Sequence, residues 1–241
     1  LKTLEKAYDY PVDVEFTVNF DAEGQAKIDV VQCRPLQTKG QQSHVEVPEN
    51  IPEERTFIRS EGNFMGGNIS QSIRWLIWID PVEYTTLPQS DKYEVARLVG
   101  RLNKRMVDRE ENRTMLLGPG RWGTSTPSLG VPITFSEINN ITALVEVAFT
   151  SGDLMPELSF GSHFFQDLVE ADIFYLAAFP ESRSCFYNEK WLRTLPNSLE
   201  GIMPASSRFK SVVKVCRMQE EVRLMADVVS QRLLCYRQEK G

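Results

Sequence analysis

The run from Leu116 to Gly130 constrains the fold most, because four glycines and two prolines follow directly on an apolar segment. A strand that ends in such a loop lets backbone amides approach an anion, since glycine has no Cβ and tolerates positive φ. Arg121 adds a planar guanidinium suited to phosphate or carboxylate. A rigid turn that seats Trp122 in a core would use the same residue types, and local sequence leaves both readings open. The candidate anion ligands in this loop are Gly118, Gly120, Arg121 and Gly123.

Strand and helix patterns are mixed along the rest of the chain. Their sequential mixing predicts an α/β or α+β fold with a mixed β-sheet flanked by helices. Apolar and β-branched runs predict strands at residues 55–59, 73–79, 113–117, 131–135, 142–149, 173–179 and 210–218. Helical periodicity predicts helices at residues 91–110, 162–172 and 219–237, the last with Val222, Met225, Val229 and Leu233 facing inward.

Two alternating segments near the start, residues 12–20 and 26–34, are separated by the turn sequence DAEG and predict a β-hairpin. The stretch after them is rich in Gln, Lys, Gly, Ser and Pro, which is typical of a linker. We therefore expect three parts: a hairpin-containing end of one domain at 1–40, a linker at 41–52, and an α/β domain at 53–241.

Composition excludes several classes of protein. The chain has 41% hydrophobic and 25% charged residues, as folded soluble proteins do, and its net charge of −6 argues against nucleic-acid or anionic-membrane binding. No apolar run approaches the roughly 20 residues needed to span a bilayer, and the first residues lack a signal-peptide core. The four cysteines are scattered without metal-ligand spacing, so we expect reduced thiols in a cytoplasmic protein.

The hairpin carries polar residues on both strands. Alternation places Asp13 and Glu15 on one face of the first strand, and Gln32 and Arg34 on one face of the second. In a suitable register these groups would meet, with Glu and Gln oxygens able to hold Mg²⁺ and Arg able to neutralise phosphate. A cross-strand salt bridge on an exposed sheet is the alternative, and spacing alone favours it.

A family resemblance favours the metal site instead. The segment PVDVEFTVNFDAEGQAKIDVVQCRPLQT resembles the closing part of the ATP-binding domain of phosphoenolpyruvate synthases and pyruvate, phosphate dikinases. There an acidic D-[IV]-E-[WF] strand precedes a strand ending in Q-x-R-P, matched here by Asp13 to Phe16 and Gln32 to Pro35. The resemblance implies an ATP-grasp domain in which Glu15 and Gln32 bind the catalytic Mg²⁺ and Arg34 contacts ATP phosphate.

Residues 55 to 180 resemble the C-terminal region of large phosphoenolpyruvate synthase-like proteins, through blocks such as LLGPGRWG and GSHFFQDLVEA. No established chemistry comes with that likeness. The main nucleotide-binding lobe and the T-S-H histidine domain of those enzymes are missing. The resemblance therefore implies the C-terminal part of an ATP-dependent phosphotransferase that is incomplete on its own. It would need an upstream ATP-grasp lobe and a small anion such as pyruvate, phosphoenolpyruvate or phosphate.

Ser162 and His163 follow Gly161 at the predicted start of a helix. Ser162 can cap that helix, whose first amides and positive dipole end attract anions. His163 would then be a candidate catalytic residue, with Arg121 as counter-charge, although a packing role fits a lone histidine before two phenylalanines. The alternative function is a small-anion-binding regulatory or assembly domain, and whether the chain forms homo-oligomers stays open.

Overall fold

The computed structural model describes residues 1–8, 12–35, 44–148, 158–159 and 162–239. The chain divides into two compact units, Leu1–Lys39 and Gly40–Gly241. Gly161, which precedes the predicted helix, lies outside the described residues, and so do residues 41–43 at the start of the predicted linker. No helix in the described part of the chain is long and apolar enough to cross a bilayer.

The described residues of the first unit form one helix and the predicted hairpin. Helix α1 (Lys2–Tyr8) precedes strands β1 (Val12–Phe20) and β2 (Ala26–Pro35), which pair antiparallel. Asp21 shapes the turn, because its carboxylate accepts the backbone amides of Glu23 at 3.1 Å and Gln25 at 2.7 Å. The hairpin prediction is confirmed.

The described residues of the second unit form a nine-stranded mixed sheet with helices packed on it. Its strands are β3 (Thr56–Glu61), β4 (Phe64–Met65), β5 (Ile69–Ile79), β6 (Thr114–Pro119), β7 (Ala143–Val147), β8 (Phe174–Ala178), β9 (Cys185–Tyr187), β10 (Val213–Asp227) and β11 (Arg232–Arg237). Its α-helices are α2 (Pro81–Thr86), α3 (Gln89–Asn103), α4 (His163–Glu170), α5 (Glu189–Thr194) and α6 (Leu199–Ile202).

The sheet contains a group of four parallel strands with antiparallel pairings on both sides of it. Its strand order is β4-β8-β7-β6-β5-β10-β11-β3-β9, and β5 to β8 run parallel to their neighbours in that group. The consecutive strands β3 and β4 lie towards opposite ends of this order, so the sheet curls back on itself. Gly62 (φ 77°) and Asn63 (φ 60°) form the bend between them, in the left-handed region that these residue types tolerate. The predicted α/β class with a mixed sheet flanked by helices is confirmed.

Two apolar cores lie on the two faces of the sheet. On one face α3 packs Val95, Leu98, Val99 and Leu102 against strand residues such as Leu116. The inside of the curl holds the other core, which includes Trp78 and Leu117. The described end of the predicted linker also packs, with Val45 and Val47 against Leu234 and Tyr236 of β11.

The predicted final helix at residues 219–237 is wrong. β10 continues to Asp227, pairs with β5, and turns back into β11. Val222, Leu224 and Ala226 are buried at every second position, whereas Val229, predicted to face inward, is 80% exposed in the turn. A coincidental four-residue apolar spacing hid the two-residue period of a strand, and pairing across the sheet decided the outcome.

Two smaller predictions also differ from the structure. Residues 131–135 form no strand. Pro132 has no backbone N–H to donate, and the Val131 carbonyl accepts a hydrogen bond from the Gly123 amide at 3.2 Å instead of pairing with a strand. Helix α3 ends at Asn103 rather than at residue 110. The buried Asn103 side chain instead accepts the Asn140 amide at 2.9 Å, which ties the helix end to the segment before β7.

Candidate functional site

Glu15 and Gln32 lie directly opposite each other in the β1–β2 register. Residues paired in this way share one face of a sheet, with Cβ atoms about 4.5–5.5 Å apart. Both residues are exposed, and neither side chain makes a hydrogen bond or ion pair with any described residue. Arg34 pairs with Asp13 along the same ladder, but the side chains of those two residues lie outside the described part. The salt-bridge alternative involves them and stays a prediction.

A β-bulge at Val31 aligns these positions. Glu15 pairs with Gln32, but the next pair is Phe16 with Val30, so Val31 has no partner on β1. Strict alternation from Val30 would turn Gln32 towards the apolar face, whereas one extra residue returns it to the face of Glu15. The bulge also explains why residues 26–34 alternate less regularly than residues 12–20.

The opposite face of the hairpin is apolar and exposed. Phe16 pairs with Val30 and Val18 with Ile28, and Phe16 and Ile28 are 56% and 63% exposed. A two-stranded hairpin is marginal alone and gains stability when such a face packs on another layer. The hairpin therefore separates a polar patch, centred on Glu15 and Gln32, from a surface suited to packing.

The glycine loop in the second unit follows β6 and uses its own amides. The donations run from Gly120 to the Val147 carbonyl (2.9 Å), Arg121 to Leu129 (2.9 Å), Trp122 to the Glu146 carboxyl (2.8 Å) and Gly123 to Val131 (3.2 Å). These amides already have protein acceptors. An anion bound here would therefore be held mainly by side chains.

Close packing explains why glycine stands at the three loop positions that were predicted to bind an anion. A Cβ on Gly118 would lie 2.6 Å from the Trp122 ring, and one on Gly123 would lie 2.5 Å from the Phe164 ring. Gly120 has φ 62°, and a Cβ there would meet the Leu129 carbonyl oxygen at 2.2 Å. Trp122 itself is fully buried, as the core-seating alternative expects.

The elements that carry Arg121 and His163 are neighbours. Both follow parallel strands, so both lie at the carboxyl edge of the sheet. The Ser159 hydroxyl donates to the Trp122 carbonyl at 2.9 Å, and the Ser162 hydroxyl donates to the Ser159 carbonyl at 2.7 Å. Arg121 is half-buried, and His163 is exposed. A shared anion site remains a prediction. The contacts through Ser159, which join the Arg121 loop to the start of α4, support it.

Ser162 caps α4 as predicted. Its hydroxyl accepts the Phe165 amide at 3.3 Å, which satisfies one of the free donors at the helix start. His163 is the first residue of α4, and its Nδ1 lies 3.3 Å from Gln166 Oε1.

A buried carboxyl group that sequence reasoning missed lies beneath the loop. Glu146 on β7 has no exposed surface. Its Oε1 accepts the Trp122 amide at 2.8 Å and contacts the Ser159 hydroxyl at 2.5 Å. Its Oε2 accepts the Ser159 amide and the Tyr175 hydroxyl, both at 2.7 Å. The signal available in the sequence was one charged residue inside the apolar strand ALVEV.

Burial raises the pKa of Glu146, because a charged carboxylate is poorly solvated there. Hydrogen bonds from Ser159, Tyr175 and Trp122 oppose this rise without cancelling it. Burial also raises the pKa of Tyr175, and the neighbouring Glu146 adds to the effect. Tyr175 therefore acts as a neutral donor to Glu146.

The described residues contain no group of three or more His, Cys, Asp or Glu side chains that could hold a metal. At the hairpin, Glu15 and Gln32 are the two predicted metal ligands, and both lie among the described residues. Mg²⁺ is commonly bound by one or two protein carboxylates and completes its shell with water and substrate phosphates. These two residues fit as a partial ligand set.

Residues 1–55 match the family model described as pyruvate phosphate dikinase, AMP/ATP-binding domain. The matched segment contains the whole hairpin and extends to residue 55, beyond the boundary of the first compact unit at residue 39. Neither the curated proteins nor the solved structures gave a match. The match supports nucleotide binding and a likeness to pyruvate, phosphate dikinase for this part of the chain.

Proposed function

We propose that residues 1–55 form part of an ATP site in a Mg²⁺-dependent phosphotransferase related to phosphoenolpyruvate synthase and pyruvate, phosphate dikinase. The observation that carries this proposal is the pairing of Glu15 with Gln32 on an exposed face, inside the segment that matches an AMP/ATP-binding domain. Carboxylate and amide oxygens are the hard ligands that Mg²⁺ prefers.

Each hairpin position has a distinct role in this proposal. Glu15 and Gln32 hold the metal, and Arg34, two positions beyond Gln32, contacts phosphate through its planar guanidinium. Mg²⁺, when bound, neutralises charge on the transferred phosphoryl group. The apolar hairpin face, with Phe16 and Ile28, packs against the rest of the nucleotide-binding lobe.

Two protein oxygens leave most of the metal shell to ATP and to groups outside this hairpin. Phosphoryl transfer depends on positioning and on stabilisation of charge from several directions. We therefore expect residues 1–241 alone to show no phosphotransfer, and the hairpin to act only beside its lobe.

Glu15→Gln, in the protein that carries the whole nucleotide-binding lobe, tests this role. We expect about tenfold or greater weakening of Mg²⁺-dependent ATP binding, since charge-assisted contacts contribute about 1.5–3 kcal/mol. Glu23→Gln is the matched control, because it removes the same charge from the exposed turn of the same hairpin. The measurement is calorimetric titration of ATP at limiting Mg²⁺. Equal affinities for the two variants would return Glu15 to an ordinary exposed residue.

Anion binding by the second unit is a second candidate function, as a regulatory site. It is supported by the contacts through Ser159 that join the Arg121 loop to the start of α4. Ligands of α/β sheets gather at the carboxyl ends of parallel strands, where both elements lie. Titration of the chain with phosphate and with pyruvate tests it, and no heat with either anion would contradict it.

A further inference from the structure

The Ser159 hydroxyl lies between two oxygen atoms that ordinarily only accept hydrogen bonds. Its Oγ is 2.9 Å from the Trp122 carbonyl oxygen and 2.5 Å from Glu146 Oε1. A serine hydroxyl has one hydrogen to donate. If Glu146 were ionised, one of these two contacts would have no hydrogen in it.

A proton on Glu146 Oε1 resolves this shortage. The carboxylic acid then donates to Ser159 Oγ, and the Ser159 hydroxyl donates to the Trp122 carbonyl. Oε1 can still accept the Trp122 amide, and Oε2 still accepts from the Ser159 amide and Tyr175. Every close polar contact in the cluster then contains one hydrogen.

Among the described residues, no charged side chain hydrogen-bonds to the Glu146 carboxyl group. Neighbouring strands present Gly118 and Ala177 opposite Glu146 in register. Tyr175 is the one titratable group among the described residues that hydrogen-bond to the carboxyl, and it is neutral. Arg121 is adjacent to Trp122 in the chain but forms no salt bridge with Glu146. A buried charge without a partner is costly, which favours the neutral acid.

We infer that Glu146 keeps its proton at pH values where an exposed glutamate is ionised, and that this neutral acid locks the glycine loop to β7. The lock joins the loop, through Trp122, to Ser159 and to β8, through Tyr175. Loss of this proton would leave a buried negative charge on Glu146. It would also leave one of the two contacts of the Ser159 hydroxyl without a hydrogen. The edge that carries Arg121 and His163 would then loosen as the pH rises. This lock belongs to residues 40–241 and does not depend on the nucleotide role of the hairpin.

The sign of the pH dependence of stability tests this inference. A carboxyl whose pKa is raised on folding binds more protons in the native state, so stability falls as pH rises above its unfolded pKa, about 4.3. We compare the unfolding equilibrium constants of the wild type and Glu146→Gln by urea denaturation from about pH 5 to about pH 8. The ratio of wild type to variant should rise with pH, by up to about tenfold per unit.

Glutamine is not a perfect replacement, because its NH₂ group faces an amide donor in either orientation. That cost is independent of pH, so it shifts the ratio without changing its slope. Glu170→Gln on the exposed surface of α4 is the matched control and should give a flat ratio. A flat or falling ratio for Glu146→Gln would overturn the inference.

An infrared measurement on the wild type removes any dependence on how well the variant folds. A protonated carboxyl group gives a carbonyl band separate from that of carboxylates. We expect this band near neutral pH in the wild type. Isotope-labelled glutamate would assign it to a glutamate, and its loss in Glu146→Gln would assign it to Glu146. Absence of the band from the folded wild type would overturn the inference by itself.

Discussion

Glu146 accepts the backbone amide of Trp122 at 2.8 Å, which ties the glycine loop to a carboxyl group within the group of parallel strands. The loop is therefore fixed by a hydrogen bond to Glu146 of β7 as well as by its own backbone hydrogen bonds. Its shape depends on a residue 24 positions away in the chain. This arrangement explains why the loop is compact although its sequence is rich in glycine.

Removing the Glu146 carboxyl should destabilise the protein strongly. Glu146→Ala leaves the Trp122 amide, the Ser159 amide and the Tyr175 hydroxyl without their acceptor, and an unsatisfied buried donor costs about 1–3 kcal/mol. We expect a loss of about 3–5 kcal/mol by urea denaturation. Tyr175→Phe removes one donor only and should cost about 1–2 kcal/mol. Equal losses for the two variants would mean that the carboxyl does not organise the cluster.

Gly120 should tolerate no side chain. Its φ of 62° costs other residues about 1–2 kcal/mol, and a Cβ would meet the Leu129 carbonyl oxygen at 2.2 Å. We expect Gly120→Ala to lower the free energy of unfolding by about 2 kcal/mol or more. Gly201→Ala is the control, because a Cβ there meets nothing within 4 Å and alanine favours the helix. A loss for Gly120→Ala no larger than that of the control would contradict the packing role.

Asp227 should stabilise the folded protein, and this stabilisation should be lost in acid. Burial would raise the pKa of Asp227, but hydrogen bonds from the Ser230 hydroxyl, from the Ser230 and Val45 amides, and the charge of His44 outweigh it and lower that pKa. The contribution is present above the unfolded pKa of about 3.9 and is lost as the pH falls through the lower folded pKa. The difference in thermal midpoint between wild type and Asp227→Asn should therefore shrink in acid. Exposed Asp167→Asn serves as control, and a difference that grows in acid would refute the assignment.

Arg121 should contribute to anion binding if the second unit has an anion site. Arg121→Ala should weaken phosphate or pyruvate binding by about 1.5–3 kcal/mol, the range for charge-assisted hydrogen bonds. Arg105→Ala is the control, since Arg105 is exposed between α3 and the amino end of β6, away from the loop edge. Calorimetric titration measures both, and equal affinities would remove Arg121 from the site.

Local sequence by itself determined the hairpin, the loop that follows β6 and the Ser162 cap of α4. Each depends on residues within a few positions of one another: DAEG between alternating strands, glycine at a tight turn, and a hydroxyl before a helix. The α/β class also followed, because the order of strand and helix patterns is written along the chain.

Tertiary structure decided what depends on distant partners. Residues 219–237 became the end of β10 and β11 because β5 and β3 pair with them, and no local spacing reveals that pairing. Glu146 reads locally as a polar interruption of a strand, yet its partners Ser159, Trp122 and Tyr175 are 13, 24 and 29 positions away. Hydrogen bonds and burial across such separations exist only once the sheet has formed, so only the folded chain could select them.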